Sequence, residues 1–368
     1  MRGTALVLAV VTAWGFPSGA RAGVVVTSVS ERCTMPETPN DGNVVGYDAG
    51  MSLRFGSHSY WFFGDTLRDR DGDWQIDNLL EGFSFGTHVG RTFDTAGGDC
   101  FTAFTFKEDG NGEATVAFPK AGNECVTWPA GAIGTSTGKL YSYFEGWGTC
   151  SGGTVSNPQG TGLVRFTDPP LDMNVVRVPG YIFDPGPPFW GHALAASNAG
   201  TCGTQHWAYV FGSMPDGDVL LSRVLDASIE DRTKYLFWNG TAWVANAGAA
   251  APIFTSTLGT LNGLSVAFNE HLDRYVAIYS CAFATQICLS YTNNPGAHPS
   301  RLTQGWTTQS IYSCPPGAAY RCKQAYQHDE AASGDSIYVT SSRHTALGDA
   351  EHPEYRLELR RFRLTWVP

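Results

Sequence analysis

The stretch "GYDAGMSLRFGSHSYWFFGDT", residues 46–66, reads as two strands joined by a tight turn. Its first half is rich in small residues and its second half in aromatic residues. A two-residue turn at Gly56-Ser57 suits a type II′ hairpin, because glycine accepts the positive φ of the first turn position. That register places Asp48 directly opposite Asp65 on one face of the hairpin. A turn at Ser57-His58 would make the two aspartates diagonal neighbours that still lie close together.

The plan of this hairpin recurs along the chain. A strand of small residues is followed by an aromatic strand five times, and the aromatic strands begin near residues 59, 139, 206, 274 and 336. Helical periodicity is nearly absent, and Gly, Pro, Asn and Asp separate the strands. Five such units predict an all-β fold, a five-bladed β-propeller with small residues around the axis. We expect a single domain over 23–368, with "GVVVTSVS" (23–30) completing the last blade. A β-sandwich or a two-domain β protein is the alternative.

Residues 1–22 have the features of a secretory signal peptide: a basic start, an apolar run and the small-residue pattern Ala20-Arg21-Ala22. The apolar run is too short for a membrane anchor. We therefore expect a secreted protein, extracellular or periplasmic, and a monomer. The formal net charge is −10, or −12 without Arg2 and Arg21. This acidity argues against nucleic acid and membrane surfaces as partners and is compatible with a neutral polysaccharide.

All nine cysteines follow the predicted cleavage site. Cys281 and Cys288 flank a short turn, and so do Cys314 and Cys322, which predicts two local disulfides in an exported protein. Spacing leaves the other pairings open. Two further disulfides can form among four other cysteines, namely Cys100, Cys125, Cys150 and Cys202. Cys33 would then be left over. Metal binding is the weaker interpretation because no CxxC pair occurs.

The carboxylates of Asp48 and Asp65 would repel each other, so one should keep its proton near neutral pH. A protonated acid beside an ionised carboxylate is what cleavage of a glycosidic bond needs. Direct opposition favours the gap of about 5–5.5 Å found in retaining enzymes over the roughly 6.5–9.5 Å of inverting enzymes. A bulge near Gly50 or Gly64 would widen the gap. The alternatives are that the two aspartates cap strand ends or bind a cation together.

Five stretches in order carry a family resemblance: "YWFFGDT", "PAGAIGTSTGKLYSYFEGWG", "VLLSRVLDASIEDRTKYLFWNGTAWV", "GLSVAFNEHLDRYVAIYS" and "SIYVTSSRH". From about residue 40 to the C-terminus the chain resembles the secreted DUF4185 proteins, which include the endo-D-arabinanases of glycoside hydrolase family 183. The resemblance implies a five-bladed propeller that cleaves the D-arabinofuranosyl chains of mycobacterial cell-wall arabinan internally. It also implies that Asp48 and Asp65 are the catalytic pair.

The resemblance extends to substrate-binding positions and has two departures. "DWQIDN" (73–78) resembles the Trp-x-x-Asn stretch that follows the GDT motif, with Asn78 as the sugar-contacting amide. The fourth-blade motif usually has an acid where this chain has Gly263 in "NGLSV". The usual His-Pro before the last blade is His328-Asp329 here. Both departures bear on the substrate and on activity.

Other residues have two interpretations each. His192 and His328 occupy matching positions near the inner strands, where they would either contact substrate or serve as hydrogen-bonded core histidines. Three tryptophans would either stack on the faces of sugar rings or pack between blades, namely Trp74, Trp147 and Trp190.

An acidic segment partly matches a calcium loop in its spacing, at Asp69, Asp71, Asp73 and Asp77. Its glycine is misplaced and Leu80 stands where the loop needs Glu, so a solvated loop without a cofactor is favoured. Ser84, in "GFSFG", matches G-x-S-x-G, but no helix pattern follows, which favours an ordinary strand residue.

Three functions remain open on this evidence. The first is a secreted endo-acting glycoside hydrolase on furanosyl polysaccharide. The second is a non-catalytic carbohydrate-binding propeller, which the altered "NGLSV" motif favours. The third is a structural cell-surface protein without a ligand.

Overall fold

The computed structural model describes residues 22–35, 43–69, 83–93, 100–101, 103–151, 154–169, 172–196, 205–256, 258–259, 261–315, 320–344 and 355–368. These residues form antiparallel strands grouped in five sheets. Short 3-10 helices lie between some strands, at Asp226–Ser228, Arg232–Lys234, Ala247–Ala249, Pro299–Thr303 and Asp329–Ala331. Within the described ranges no helix has the length and apolar character needed to cross a membrane.

Strand β1 (Gly23–Met35) comes first in the chain, before the strands of the first blade. The first blade holds β2 (Val44–Phe55), β3 (His58–Arg68), β4 (Phe83–Ser84), β5 (His88–Thr92) and β6 (Thr105–Phe106). The second holds β7 (Val126–Gly134), β8 (Leu140–Ser151), β9 (Thr154–Phe166) and β10 (Val175–Arg177).

The remaining blades follow the same plan. The third holds β11 (Phe189–Ala196), β12 (Trp207–Ser213), β13 (Asp218–Leu225), β14 (Leu236–Trp238), β15 (Trp243–Val244) and β16 (Pro252–Thr255). The fourth holds β17 (Asn262–Asn269), β18 (Arg274–Cys281), β19 (Gln286–Thr292) and β20 (Trp306–Ser313). The fifth holds β21 (Tyr320–Gln327), β22 (Ser336–His344) and β23 (Tyr355–Val367).

The five blades close into a ring. The first strand of each blade contacts the first strands of its two neighbours, in the cyclic order β2, β7, β11, β17, β21. Strand β1 pairs antiparallel with β23 and becomes the outermost strand of the fifth blade. The predicted five-bladed propeller and its closure by the N-terminal strand are therefore confirmed, and the sandwich alternative is wrong.

The aromatic second strands are buried on both faces because each lies between two neighbouring layers of the ring. In β3, Trp61 and Phe63 join one apolar cluster, while Tyr60 and Phe62 join another on the opposite face. Alternate residues of a strand point to opposite faces, so a continuous aromatic run fills both inter-blade layers. This packing holds the part of β3 that leads to Asp65.

Every inner strand contains a bulge at a similar level. The pairing register shifts between Ala49 and Met51, Pro129 and Gly131, Trp190 and Ala193, Asn262 and Ser265, and Lys323 and Tyr326. Several bulge residues have positive φ, which glycine accepts most easily. The values are +78° at Gly50, +89° at Gly191, +67° at Gly263 and +56° at Gln324.

Four disulfides cross-link the described residues. Cys281–Cys288 and Cys314–Cys322 confirm the two local predictions, and Cys125–Cys150 is a third bridge. The expectation that Cys33 is left over is wrong, because it pairs with the residue 67 positions later, Cys100. Ring closure explains this pairing: the end of β1 packs in the same apolar cluster as Tyr47 and Trp61 of the first blade. Cys202 lies outside the described residues.

Candidate active site

The hairpin of the first blade has the predicted turn but a different register at the aspartates. Strands β2 and β3 pair from the turn onward, with Phe55 opposite His58, and Gly56 in the turn has a φ of +62°. The register then shifts on both sides of Ala49, so Asp48 lies in a bulge and is not paired with Asp65 in the ladder. The bulge anticipated near Gly50 is thus present, and direct cross-strand opposition does not occur.

Asp48 lies in a buried setting beside one cation. Its side chain packs so closely on Gly64 that a Cβ there would lie 2.1 Å from Oδ1. Oδ2 is 3.5 Å from the Nζ of Lys323, and Asp48 also accepts hydrogen bonds from the Tyr355 hydroxyl and the Asp65 backbone N–H. Burial, at 6% exposure, raises the pKa of Asp48, and the Lys323 charge opposes that rise.

Asp65, three residues before the end of β3, accepts hydrogen bonds from neutral donors. Its Oδ1 accepts hydrogen bonds from the Trp128 indole N–H at 2.8 Å and from the Gly86 backbone N–H at 2.9 Å. Only 8% of the residue is exposed. Burial and then the nearby Asp48 charge raise the pKa of Asp65 to about 7, against the lowering effect of these hydrogen bonds.

The two carboxyls therefore lie in unequal environments on two adjacent strands of the first blade. Asp48 has an ammonium partner, and Asp65 has dipolar donors on one oxygen. Pairs of acids whose surroundings separate their pKa values can divide the roles of acid and base. Near neutral pH this pair can hold one proton between two buried carboxyls.

Glu145 is a third carboxylate that the sequence interpretation missed. Its Oε1 is 2.6 Å from the Nε2 of His192, and its Oε2 accepts a hydrogen bond from Trp147 Nε1 at 3.2 Å. In the β7–β8 ladder Glu145 lies opposite Trp128, whose indole bonds Asp65. The signal was present: "YFEGW" places a lone acid directly after aromatic residues, as "FFGDT" does with Asp65.

His192 is the predicted binding residue that the structure places beside these acids. Its side chain is 21% exposed and lies between Glu145 and the hydroxyl of Ser213, which is 2.8 Å from Nδ1. Tyr326 lies close enough to feel the charges of both Asp48 and Glu145, which add to burial in raising its pKa.

Two other predicted binding residues lie in the core. His328 is fully buried, stacks on Trp61, and contacts Ser52 Oγ and Thr340 Oγ1 at 2.6 and 2.8 Å. Trp190 is only 3% exposed and packs on Phe183. In this geometry both side chains serve packing between strands.

Part of the predicted site falls outside the described residues, namely Trp74, Asn78, Asp71, Asp73 and Asp77. Asp69 is described and buried, and its backbone N–H bonds the Asn43 carbonyl at 2.8 Å. In the part of the chain that is described, no group of three or more His, Cys, Asp or Glu side chains is placed to hold a metal ion. Ser84 lies in a two-residue strand paired with β3, as the strand interpretation expected.

Gly263 shows why the fourth-blade motif lacks an acid here. Its φ is +67°, and a Cβ at this position would lie 2.7 Å from Gln324 Cα and 3.0 Å from the Ala325 backbone nitrogen. These atoms belong to the neighbouring inner strand and cannot move as a side chain can. The close approach of β17 and β21 therefore excludes an acidic side chain at this position.

A cavity of about 390 Å³ runs along the axis between the inner strands. Every blade contributes to its wall, and His192 and Tyr326 are among the lining residues, whereas Asp48 and Asp65 are not. The cavity also reaches Glu270 and Asp329 beyond the C-terminal ends of β17 and β21. Burial, with the charges of Glu330 and Glu270, raises the pKa of Asp329 to about 6.

Known structures share this fold at low sequence identity. A candidate hydrolase from Bacteroides ovatus ATCC 8483 is 11% identical, with 88% of this chain and 86% of that chain covered and a TM-score of 0.62. A glycoside hydrolase family 62 enzyme in complex with xylotriose is 9% identical, with 87% and 92% covered and a TM-score of 0.50. These likenesses concern the fold alone.

Sequence comparison finds a family that matches part of the chain. No curated protein matches the chain. The family described as "Domain of unknown function (DUF4185)" matches residues 172–346, from the outermost strand of the second blade into the fifth blade. Asp48 and Asp65 lie before the matched region, and the match says nothing of endo-D-arabinanase activity. The protein is thus a five-bladed β-propeller whose residues 172–346 form a DUF4185 match, which confirms the predicted family.

Proposed function

We propose that the protein is a secreted glycoside hydrolase that cleaves furanosyl polysaccharide at internal bonds through Asp48 and Asp65. The observation that carries the proposal is the buried pair of carboxyls in unequal environments. The proposed substrate class is D-arabinan of the arabinogalactan or lipoarabinomannan type, which the resemblance of the first-blade motifs supports. Export is supported by four disulfides, which persist in oxidising compartments.

The surroundings of the two acids assign the roles in this proposal. Asp65, whose pKa is raised to about 7, is protonated in about half of the molecules at neutral pH, and it donates that proton to the leaving glycosidic oxygen as the C–O bond breaks. Asp48, beside Lys323, is the ionised partner and acts on the anomeric carbon or on the attacking water. Water supplies the hydroxyl to the anomeric carbon and a proton that restores the acid. The bulge at Ala49 removes the earlier reason to prefer retention over inversion.

Glu145 and His192 add a further polar surface beside the pair. Trp147, which bonds Glu145, also stacks on Phe189 with ring centroids 6.4 Å apart. An indole next to a carboxylate and an imidazole suits a sugar ring, which has an apolar face and hydroxyls at its edge. We therefore place substrate contacts at His192 and Trp147, in addition to those predicted at Trp74 and Asn78.

The test is product release from a panel of polysaccharides. Purified protein is incubated with D-arabinan, arabinogalactan and unrelated glucans and xylans, and soluble oligosaccharides are separated by size. The proposal expects a ladder of oligosaccharides from D-arabinan, as internal cleavage produces. Release of single sugars only, or of nothing from any furanosyl polymer, contradicts it.

A non-catalytic carbohydrate-binding propeller is the second candidate. Gly263 favours it, because the chain lacks the acid of the fourth-blade motif and has no space for one. This candidate predicts that the protein binds arabinan and that no product appears even at high protein concentration and long incubation. The two candidates thus give opposite results in the same assay.

A further inference from the structure

A second pocket lies at the outer side of the third blade. It has a volume of about 470 Å³. Four aromatic side chains of the third blade line it together with the turn 298–303 of the fourth blade; they are Trp207, Tyr209, Trp238 and Trp243. We call this site the aromatic pocket. Trp243 is its centre, with ring centroids 5.5 Å from Trp238 and 6.1 Å from Tyr209.

Arg223 lies between two of these indoles. Its guanidinium carbon is 4.3 Å from the ring centroids of both Trp207 and Trp243. Across the described ranges Arg223 forms no hydrogen bond or ion pair, and its buried Nε is unsatisfied. By contrast, the buried guanidinium of Arg360 is paired with Glu358. A guanidinium has five N–H donors, so Arg223 offers the pocket donors that no described residue accepts.

The fourth blade supplies the opposite wall. His298 Nδ1 is 2.8 Å from the Ser300 hydroxyl and accepts the Ser300 backbone N–H at 3.2 Å. These contacts fix the imidazole, and its Nε2 forms no hydrogen bond to any described residue. The pocket therefore combines flat apolar walls with polar groups that can pair with hydroxyls.

The aromatic pocket and the candidate active site lie at opposite ends of β12. Trp207 begins this strand, and Ser213, which contacts His192, ends it. Six residue steps at about 3.3 Å each separate the two positions by roughly 20 Å. A ligand in the pocket would therefore not touch Glu145 or the aspartates.

We propose that the aromatic pocket is a second, non-catalytic binding site for a saccharide. A sugar ring would place its apolar face on an indole and offer hydroxyl oxygens to the Arg223 guanidinium and to His298. Such a site would hold one part of a polysaccharide on the protein while another part of the same polysaccharide reaches Asp48 and Asp65. The choice of arabinan as the probe rests on the proposed function; the pocket itself does not.

The test uses the full chain carrying Asp65→Asn, so that the probe is not consumed. Binding of soluble D-arabinan and arabinogalactan fragments is measured by calorimetry for this parent and for versions that also carry Trp243→Ala or Arg223→Gln. Trp366→Ala is the matched control, because Trp366 also lies under an arginine, with the Arg274 guanidinium carbon 3.7 Å from its ring centroid. Thermal unfolding of each protein confirms that it is folded.

The proposal expects both pocket variants to bind at least tenfold more weakly, or with one site fewer, while Trp366→Ala binds as the parent does. Trp243→Phe, which keeps a ring, should retain more binding than Trp243→Ala. Unchanged binding in both pocket variants or equal loss in Trp366→Ala overturns it. So does a parent that binds neither these fragments nor fragments of the glucans and xylans, whereas binding of a glucan or xylan alone would contradict only the choice of arabinan. Turnover is assayed separately with Asp65 intact, so a pocket that binds in an inactive protein would refute only the glycosidase proposal.

Discussion

Gly64→Ala should disable the candidate site without unfolding the blade. The added Cβ would lie 2.1 Å from Asp48 Oδ1, 3.2 Å from its Cγ and 3.8 Å from Ala49 Cβ. A carbon and an oxygen that are not bonded need more than 3 Å, so the carboxylate must move by about 1 Å. The backbone gives way less, because Gly64 does not have a left-handed φ and alanine fits its conformation.

The expected size of the effect follows from that displacement. A misplacement of about 1 Å can cost roughly 100-fold in rate, which is about 2.7 kcal/mol of transition-state stabilisation. Stability should change by less than about 1 kcal/mol, because alanine in a strand gains about 0.5–1 kcal/mol over glycine and the steric conflict falls on the end of one side chain. Activity and stability should therefore separate.

The assay compares kcat/KM on D-arabinan with the midpoint of denaturant unfolding. Gly90→Ala, in β5 of the same blade, is the control, because the three atoms nearest to its Cβ would be aromatic ring atoms at 3.3–3.5 Å. We expect Gly90→Ala to keep wild-type turnover and Gly64→Ala to lose it. Equal activity in the two variants would show that Asp48 is not held where catalysis needs it.

Three further predictions concern ionisation. Trp128→Phe removes a hydrogen bond that lowers the pKa of Asp65, so this pKa should rise above about 7. The alkaline limb of the pH–rate profile should then move to higher pH. An alkaline limb that does not move would exclude Asp65 as the acid. Lys323→Met removes the charge that lowers the pKa of Asp48, so the acidic limb should also move to higher pH; a shift to lower pH would contradict the pairing. Because the folded-state pKa of Asp65 exceeds its unfolded value near 4, its contribution to stability is fully present below pH 4 and is lost as the pH rises through about 7. Asp65→Asn removes this dependence on pH. The unfolding free energy of the variant minus that of the wild type should therefore increase between pH 4 and 7, by up to about 1.4 kcal/mol per pH unit. If thermal unfolding shows that this difference is constant across pH, the buried ionisation of Asp65 is refuted.

Local patterns in the sequence predicted most of the fold. The second strands begin at His58, Leu140, Trp207, Arg274 and Ser336, each within about one residue of the predicted starts. Repetition made this possible, since five aromatic strands that follow small-residue strands satisfy the same packing requirement five times.

What the sequence did not reveal depends on contacts between distant segments. The bulge at Ala49 arises where β2 meets the fifth blade, and the Ala49 N–H there bonds the Gln324 side chain at 3.1 Å. Cys33 meets Cys100 only after the ring closes. Glu145 became part of the site because the second blade places it opposite Trp128. None of these partners is adjacent in sequence. Gly50 indicated that a bulge could form and "YFEGW" contained the lone acid, but periodicity could not indicate what either would contact.

The central claim is that Asp48 and Asp65 act as one unit on a glycosidic bond. The most direct measurement is the rate of oligosaccharide release from D-arabinan by the wild type, Asp48→Asn, Asp65→Asn and the double variant. Residues that act together are strongly non-additive when removed, so each single variant should lose orders of magnitude and the double variant should fall to about the same rate. Wild-type rates in both single variants would contradict the account.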